Sequence, residues 1–220
     1  MSTLDQSIEN YSCNRDKFLA QLKEDEEIES YFTDTLFPIS KLKTMTPNEY
    51  MSGCENSFCY WLETGLRMLG DIRGSFASKK FGIYYNKKKG SPIYIKKFGT
   101  NEKEAFENIR NEIVKLVNLD SKSNPNGVKE AIISNKISPI FKGKILSTYY
   151  PEKYLNIFAK DRLKYYIKVL YGNAELNCEK LDPVSLREIL LSFKENNSIM
   201  KGWSIHEFSL FLYLYYPYKK

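Results

Sequence analysis

The chain has a single histidine, only four cysteines and no apolar run approaching the length of a membrane span. Each scarcity excludes a class of function. His206 lies far from the close pair Cys54 and Cys59, and no two of Cys13, Cys54, Cys59 and Cys178 stand at the two-residue spacing of zinc sites. We therefore expect no bound metal, and nothing in the sequence calls for an organic cofactor. The most apolar stretch, Phe208 to Tyr216 in FSLFLYLYY, is far shorter than the roughly 20 residues needed to cross a bilayer and reads as a buried helix. The opening MSTLDQSIENYSCNRDKF has no basic segment followed by an apolar one, so it is not a secretory signal. The expected location is the cytoplasm, with reduced thiols and no membrane association.

Catalytic motifs are missing as well. There is no Walker phosphate loop, no dinucleotide fingerprint, no HExxH and no serine in a nucleophile elbow. A catalytic triad could use only His206, which sits inside a helix-capping pattern and is expected at a helix surface or core edge. Metal-dependent nuclease chemistry needs clustered acids, and none falls between Lys79 and Lys97. Acids elsewhere could still meet in space, so an unrecognised nuclease remains an alternative to the expectation of no enzyme.

What the chain does have is an uneven charge. The net +6 hides segments of opposite character: residues 1–50 carry 5 basic and 10 acidic groups, 51–100 carry 9 and 3, 101–172 carry 13 and 8, and 173–220 carry 6 of each. Seven lysines lie between Lys79 and Lys97. Such a field attracts phosphate and weakens with salt, although a solubilising patch would look the same.

The apolar spacing implies a mostly helical α+β fold. Leu4, Ile8, Tyr11, Phe18, Leu19 and Leu22 mark a first helix, followed by the acidic run Glu24 to Glu29. Thr46-Pro47-Asn48-Glu49 is a capping box opening a short helix. Phe58, Trp61, Leu62, Leu66 and Leu69 share one face of a helix from about Ser57 to Leu69, ended by Gly70. The period then changes. KFGIYYN and SPIYIKKFG flank Lys87-Lys88-Lys89-Gly90 and predict a small antiparallel hairpin within 79–99, with Pro92 putting its second strand at an edge. Asn101 with Glu104 caps a helix with the face Phe106, Ile109, Ile113, Leu116 and Val117, suited to lie across the hairpin. The polar linker DSKSNPNG, 120–127, suggests a boundary between an expected recognition unit at 1–119 and a helical unit at 128–220, which could also share one core. Helices follow over Phe141–Tyr149 and Lys160–Tyr171, after Asp182-Pro183, and after a third box at Ser204 to Glu207.

The segment from Ser75 to Lys97 is the candidate site, because Lys79, Lys80, Lys87, Lys88, Lys89, Lys96 and Lys97 interleave with Phe81, Tyr84, Tyr85 and Tyr94, and Arg73 is near. Lysines engage phosphates while exposed rings can stack on bases. Alternation sends Tyr84 and Tyr85 to opposite faces, and a cross-strand pair with Tyr94 is the competing, purely structural use. Tyr60 and Trp61 are adjacent on the preceding helix, so one ring faces away from the core. An aromatic pocket there competes with core packing of Trp61.

The run ENSFCYWLETGLRMLGDIRGSFASKKFGIYY, starting at Glu55, resembles the N-terminal recognition regions of bacterial modification-dependent restriction proteins, the McrB-like AAA+ family and some HNH-nuclease proteins. In that pattern a helix, a small-residue loop and a strand like Lys80 to Tyr84 follow one another. KILSTYYPEKYLNIFAKDRLKYYIKVLYG at 144–172 and GWSIHEFSLFLY at 202–213 are similar to later segments of those regions. The resemblance implies a recognition role, in which the region engages DNA or senses a modification while a partner AAA+ motor or nuclease subunit acts. No Walker or HNH motif is present here, and no catalytic residue is carried over. The alternative within the same setting is a protein-interaction or sensor subunit that docks a partner on Phe208 to Tyr216.

Overall fold

The computed structural model describes residues 3–74, 76–119, 124–172 and 177–218. It is mostly helical with one two-stranded antiparallel sheet. The predicted first helix is two, α1 (Thr3–Cys13) and α2 (Arg15–Tyr31), because the chain leaves helical geometry at Asn14. A π-helical turn, Phe32–Leu36, then carries Phe32 into the core, followed by the short α3 (Ile39–Leu42). The Thr46 capping box forms as its residues predict and opens α4 (Pro47–Tyr50): the Thr46 hydroxyl accepts from the Glu49 amide, and the Glu49 carboxylate accepts from the Thr46 amide.

The helix expected over Ser57–Leu69 is broken into three short pieces. After α5 (Phe58–Tyr60) the chain widens into a π turn, Trp61–Gly65, and tightens into a 3-10 turn, Arg67–Leu69. The Trp61 ring lies on Gly65 with no room for a β-carbon, and the Trp61 carbonyl accepts from the Leu66 amide at 2.8 Å. Next come α6 (Ala77–Phe81), β1 (Ile83–Asn86) and β2 (Ser91–Tyr94). Lys80 and Phe81, read from the sequence as strand, thus close a helix, and Gly82 (φ +80°) makes the turn into β1. The 3-10 turn Lys96–Phe98 leads to α7 (Glu102–Val117), which crosses both strands and buries the whole predicted face. Asn101 caps it as expected, but the Glu104 carboxylate reaches back one residue further, to the amide and hydroxyl of Thr100.

Five further α-helices follow among the described residues: α8 (Pro125–Ser134), α9 (Pro139–Tyr149), α10 (Lys160–Tyr171), α11 (Pro183–Asn196) and α12 (Ile205–Tyr215). Two apolar clusters organise them. One gathers Phe32, Phe58, Phe81, Phe106 and Phe141; the other gathers Tyr11, Leu163, Tyr166, Leu186 and Phe211. Their division does not fall at the 120–127 linker, of which 120–123 lie outside the described residues. Val128 and Ile132 of α8 and Ile145 of α9 join the first cluster, whereas Ile8 and Tyr11 of α1 join the second. The reason is that α9 packs on α6 and α7. The crossing comes later, where Leu155 and Ile157 enter the second cluster and Phe158 the first. On α12, Phe208, Phe211 and Leu212 are buried and Leu214 alone among its large apolar residues is exposed, so its apolar face is turned inward.

His206 is buried between α12 and α2 rather than at a surface or core edge, with Nδ1 3.2 Å from Glu26 and Nε2 3.8 Å from Glu29. Burial raises the Glu29 carboxyl to about 7, against the opposing pull of His206 and Lys144. Burial also lowers the Lys144 ammonium, opposed by Glu29 and Asp71. Because the folded Glu29 holds its proton above the ordinary value of 4.5, the unfolded chain ionises first as pH rises. Folding stability is lost across that window. Lys144 is protonated in both states below its lowered value and adds no slope there. Urea unfolding of the wild type should lose up to about 3 kcal/mol more between pH 5 and 7 than that of Glu29→Gln; parallel pH profiles for the two proteins would contradict the assignment.

Candidate nucleic-acid interface

The hairpin presents its lysines at two ends. In the register Ile83 faces Tyr94, Tyr84 faces Ile93, Tyr85 faces Pro92 and Asn86 faces Ser91. Residues 87–90 form the tip, where the Asn86 side chain accepts from the amides of Lys88 (3.0 Å) and Lys89 (3.1 Å), and Gly90 takes φ +63°. An asparagine that satisfies two turn amides fixes the loop locally. It frees the lysine side chains from any part in folding. Lys87, Lys88 and Lys89 are exposed, and none of their ammonium groups is in an ion pair among the described residues.

At the other end, about 13 Å away at roughly 3.3 Å per strand residue, stand Lys96 and Lys97. Both are exposed; Lys97 donates to the Lys136 carbonyl at 3.0 Å and lies over the Phe98 ring. Lys79 on α6 is exposed and sits over the ring of Phe76. One free edge of the sheet is closed, because the Tyr85 amide donates to the Ser52 carbonyl at 2.9 Å alongside β1. Pro92 lies on β2, the edge strand the sequence implied.

Two predicted contacts belong to the interior. Lys80 is 2 % exposed, ion-paired with Glu63 and bonded to the Ile72 carbonyl at 3.0 Å. It cannot reach a phosphate. Phe81, grouped with the exposed rings, is buried in edge-to-face contact with Phe141. Both follow from α6: a helix over Ala77–Phe81 turns Lys80 and Phe81 inward and leaves Lys79 outside.

The tyrosines divide by face. Tyr85 and Tyr94 lie on the face that packs against the first cluster, and the Tyr94 hydroxyl donates to the Thr100 carbonyl at 2.8 Å. Neither Tyr84 nor Tyr85 is directly opposite Tyr94, so the direct aromatic pair does not form. Tyr84, half-buried on the other face beside Ile93, is the hairpin ring left for stacking. Tyr60 is exposed and Trp61 packs on the core near Phe32, so the two supply one free ring instead of two walls of a pocket. Arg73 is held by Asp71 through Nε (3.0 Å) and Nη2 (2.7 Å). Its neighbour Ser75 lies outside the described residues.

Sequence reasoning missed Phe76, which is 76 % exposed. A lone aromatic among small residues in GSFAS was the available signal, since such a segment offers it nothing to pack against. It also missed a groove of about 440 Å³ beside α6, lined by Pro139, Ile140 and Phe158 together with Lys79, Lys80 and Lys160. No signal in the sequence brings Lys160 to that place.

With this geometry in hand, comparison with known proteins adds no relative: no protein family, curated protein or solved structure matches the chain.

The lysines separate into two kinds by measurement. Lys80→Ala should cost about 3 kcal/mol, because it leaves Glu63 and the Ile72 carbonyl without their partner. Lys88→Ala should stay within about 0.5 kcal/mol of wild type. Equal urea midpoints for the two variants would remove Lys80 from the interior.

Proposed function

We propose that this chain is a nucleic-acid recognition module, with DNA as its ligand, serving a bacterial restriction or anti-phage defence system and having no catalysis of its own. The observation that carries the reading is the set of three adjacent, exposed and unpaired lysines at a turn whose fold does not need them. A phosphodiester backbone is the ligand such a point array suits, since it offers anionic oxygens at regular intervals and releases counterions when lysines displace them. Lys79, Lys96 and Lys97 extend the contact along the hairpin, so that backbone phosphates spanning about 13 Å can be met from one side. Lys80 has no part in it.

Base contact falls to fewer groups than the sequence suggested. Tyr84, Phe76 and Tyr60 are the rings available for stacking, and Arg73 can reach a base only by releasing Asp71. The groove between Lys79 and Lys160 is a place where one unstacked base could rest on Phe158 with a lysine on either side. The preference for DNA, and for a modified base, rests on the resemblance to restriction-system recognition regions. In that arrangement motor or nuclease activity belongs to a partner subunit.

Fluorescence anisotropy with matched duplexes, unmodified and methylated, and with single strands should give binding that weakens steeply with salt. The Lys87/Lys88/Lys89 triple alanine variant should bind more weakly and flatten the log–log salt slope by up to about three units. Affinity indifferent to both salt and the tip lysines would reject the proposal.

A further inference from the structure

Away from the hairpin, α8, α9 and α11 enclose a cleft of about 330 Å³. Its walls are apolar, with Val128, Ile132, Leu146 and Leu191 among them, and Lys129 and Lys153 stand at its lining. One feature of the lining is out of place in an apolar cleft. Arg187, on α11, is only 8 % exposed, and its Nη2 has no hydrogen-bond partner. Nε donates to the Ile157 carbonyl at 2.9 Å, and the guanidinium lies over the Phe158 ring.

No carboxylate among the described residues forms an ion pair with this guanidinium. Asp182, the acid with the largest influence on it, is engaged in capping α11: Oδ1 accepts from the amides of Val184 and Ser185 and Oδ2 from the Ser185 hydroxyl. Glu188, on the cleft lining, is paired with Lys129. A buried cation without a counter-charge is costly, and such groups are ordinarily paired or hydrogen-bonded. The free Nη2 packs against Gly143, itself part of the cleft lining, where a β-carbon would collide with it. The residue without a side chain thus leaves room for the guanidinium beside the cleft.

We propose that the cleft binds a small carboxylic acid with an apolar body, its carboxylate accepting from Arg187 and its body lying against Val128, Ile132, Leu146 and Leu191. The volume is at the lower end of the range for small-molecule sites, roughly 300 to 1,000 Å³, which suits a medium-chain fatty acid or an aromatic acid. A monoanion is matched by one guanidinium. The site shares no residue with the hairpin lysines, so it stands whether or not the chain binds nucleic acid.

Calorimetric titration of the full chain with octanoate against octanol, and with benzoate against benzyl alcohol, tests the assignment. Each acid should bind at least about tenfold more tightly than its alcohol, the margin a charge-assisted hydrogen bond supplies. Arg187→Met should abolish that preference while leaving alcohol binding within about twofold. Leu191→Trp, which fills the cleft, should remove binding of acid and alcohol together. Acid and alcohol of equal affinity, acid binding that survives Leu191→Trp, or no binding of either acid at millimolar concentration would each overturn the proposal. If Arg187→Met fails to fold, the acid-to-alcohol ratio of the wild type and the Leu191→Trp result decide it on their own.

Discussion

The burial of α9 is the constraint on which the rest of the molecule depends. Every residue from Phe141 to Thr148 is buried, so the helix has no solvent side and its two lysines must be satisfied by protein. Lys142 donates to the carbonyls of Ile132 (2.6 Å), Ile133 (3.2 Å) and Asn135 (2.9 Å), which gathers the unsatisfied acceptors at the C-terminal end of α8 onto one ammonium. Lys144 donates to the carbonyls of Leu66 (2.7 Å) and Leu69 (2.9 Å), at the irregular end of the broken helix that begins at Phe58. Burying a charge is tolerable only with such partners. A central helix with two lysines therefore fixes where two other segments end, and the irregular turns around Leu66 leave carbonyls free to receive one of them. The groove of α6 and the cleft beside Arg187 are both built against this helix, through Ile140 and Gly143 respectively.

A second polar tie closes the chain on itself. Ser204 caps α12 by accepting from the Glu207 amide, as the capping pattern implies, but the Glu207 carboxylate does not return to the cap. It accepts from Arg15 Nε at 2.7 Å and Nη2 at 3.0 Å, and from the Tyr11 hydroxyl at 3.2 Å. Tyr11 in turn stacks on Phe18 and meets Trp203 and Phe211, so one buried carboxylate joins α1, α2 and α12 into a single aromatic cluster. Tyr11 is held in its phenol form by burial and by that carboxylate.

Local signals were legible where they involve neighbours in sequence. The Thr46 box, the Asn101 cap, the Asp182-Pro183 start and the Gly172 stop all depend on residues within four positions of one another, and all form. The hairpin was legible for the same reason, since Asn86 and Gly90 build its tip between two short β-rich runs. The α7 face was legible because apolar residues at helical spacing pack on one side. What escaped depends on distance. Lys79 and Lys80 are chemically identical neighbours, and the turn of α6, with Glu63 17 residues away and the Ile72 carbonyl to receive the ammonium, makes one of them interior. Nothing in the sequence marks Lys142 and Lys144 as interior, because their acceptors are backbone carbonyls, which no side-chain pattern announces. Arg187 is similar: its isolation follows from Asp182 being used by its own helix, a fact of geometry and not of composition.

These two kinds of lysine set the hairpin tip apart from the interior lysines of the chain. Interior lysines are tied to carbonyls or carboxylates, so an anion arriving from solvent would have to displace bonds already formed. At the tip there is nothing to displace. Three like charges on one turn repel one another by about 0.7 kcal/mol per pair at 6 Å in water, and salt reduces this further. The fold can carry that small strain without an acid to relieve it, because the strands are anchored elsewhere by Ile83, Tyr85 and Tyr94. Under the proposed function, a phosphate backbone reaching the tip would relieve that repulsion as attraction appears. The absence of an internal counter-charge is thus the feature on which the proposed contact rests.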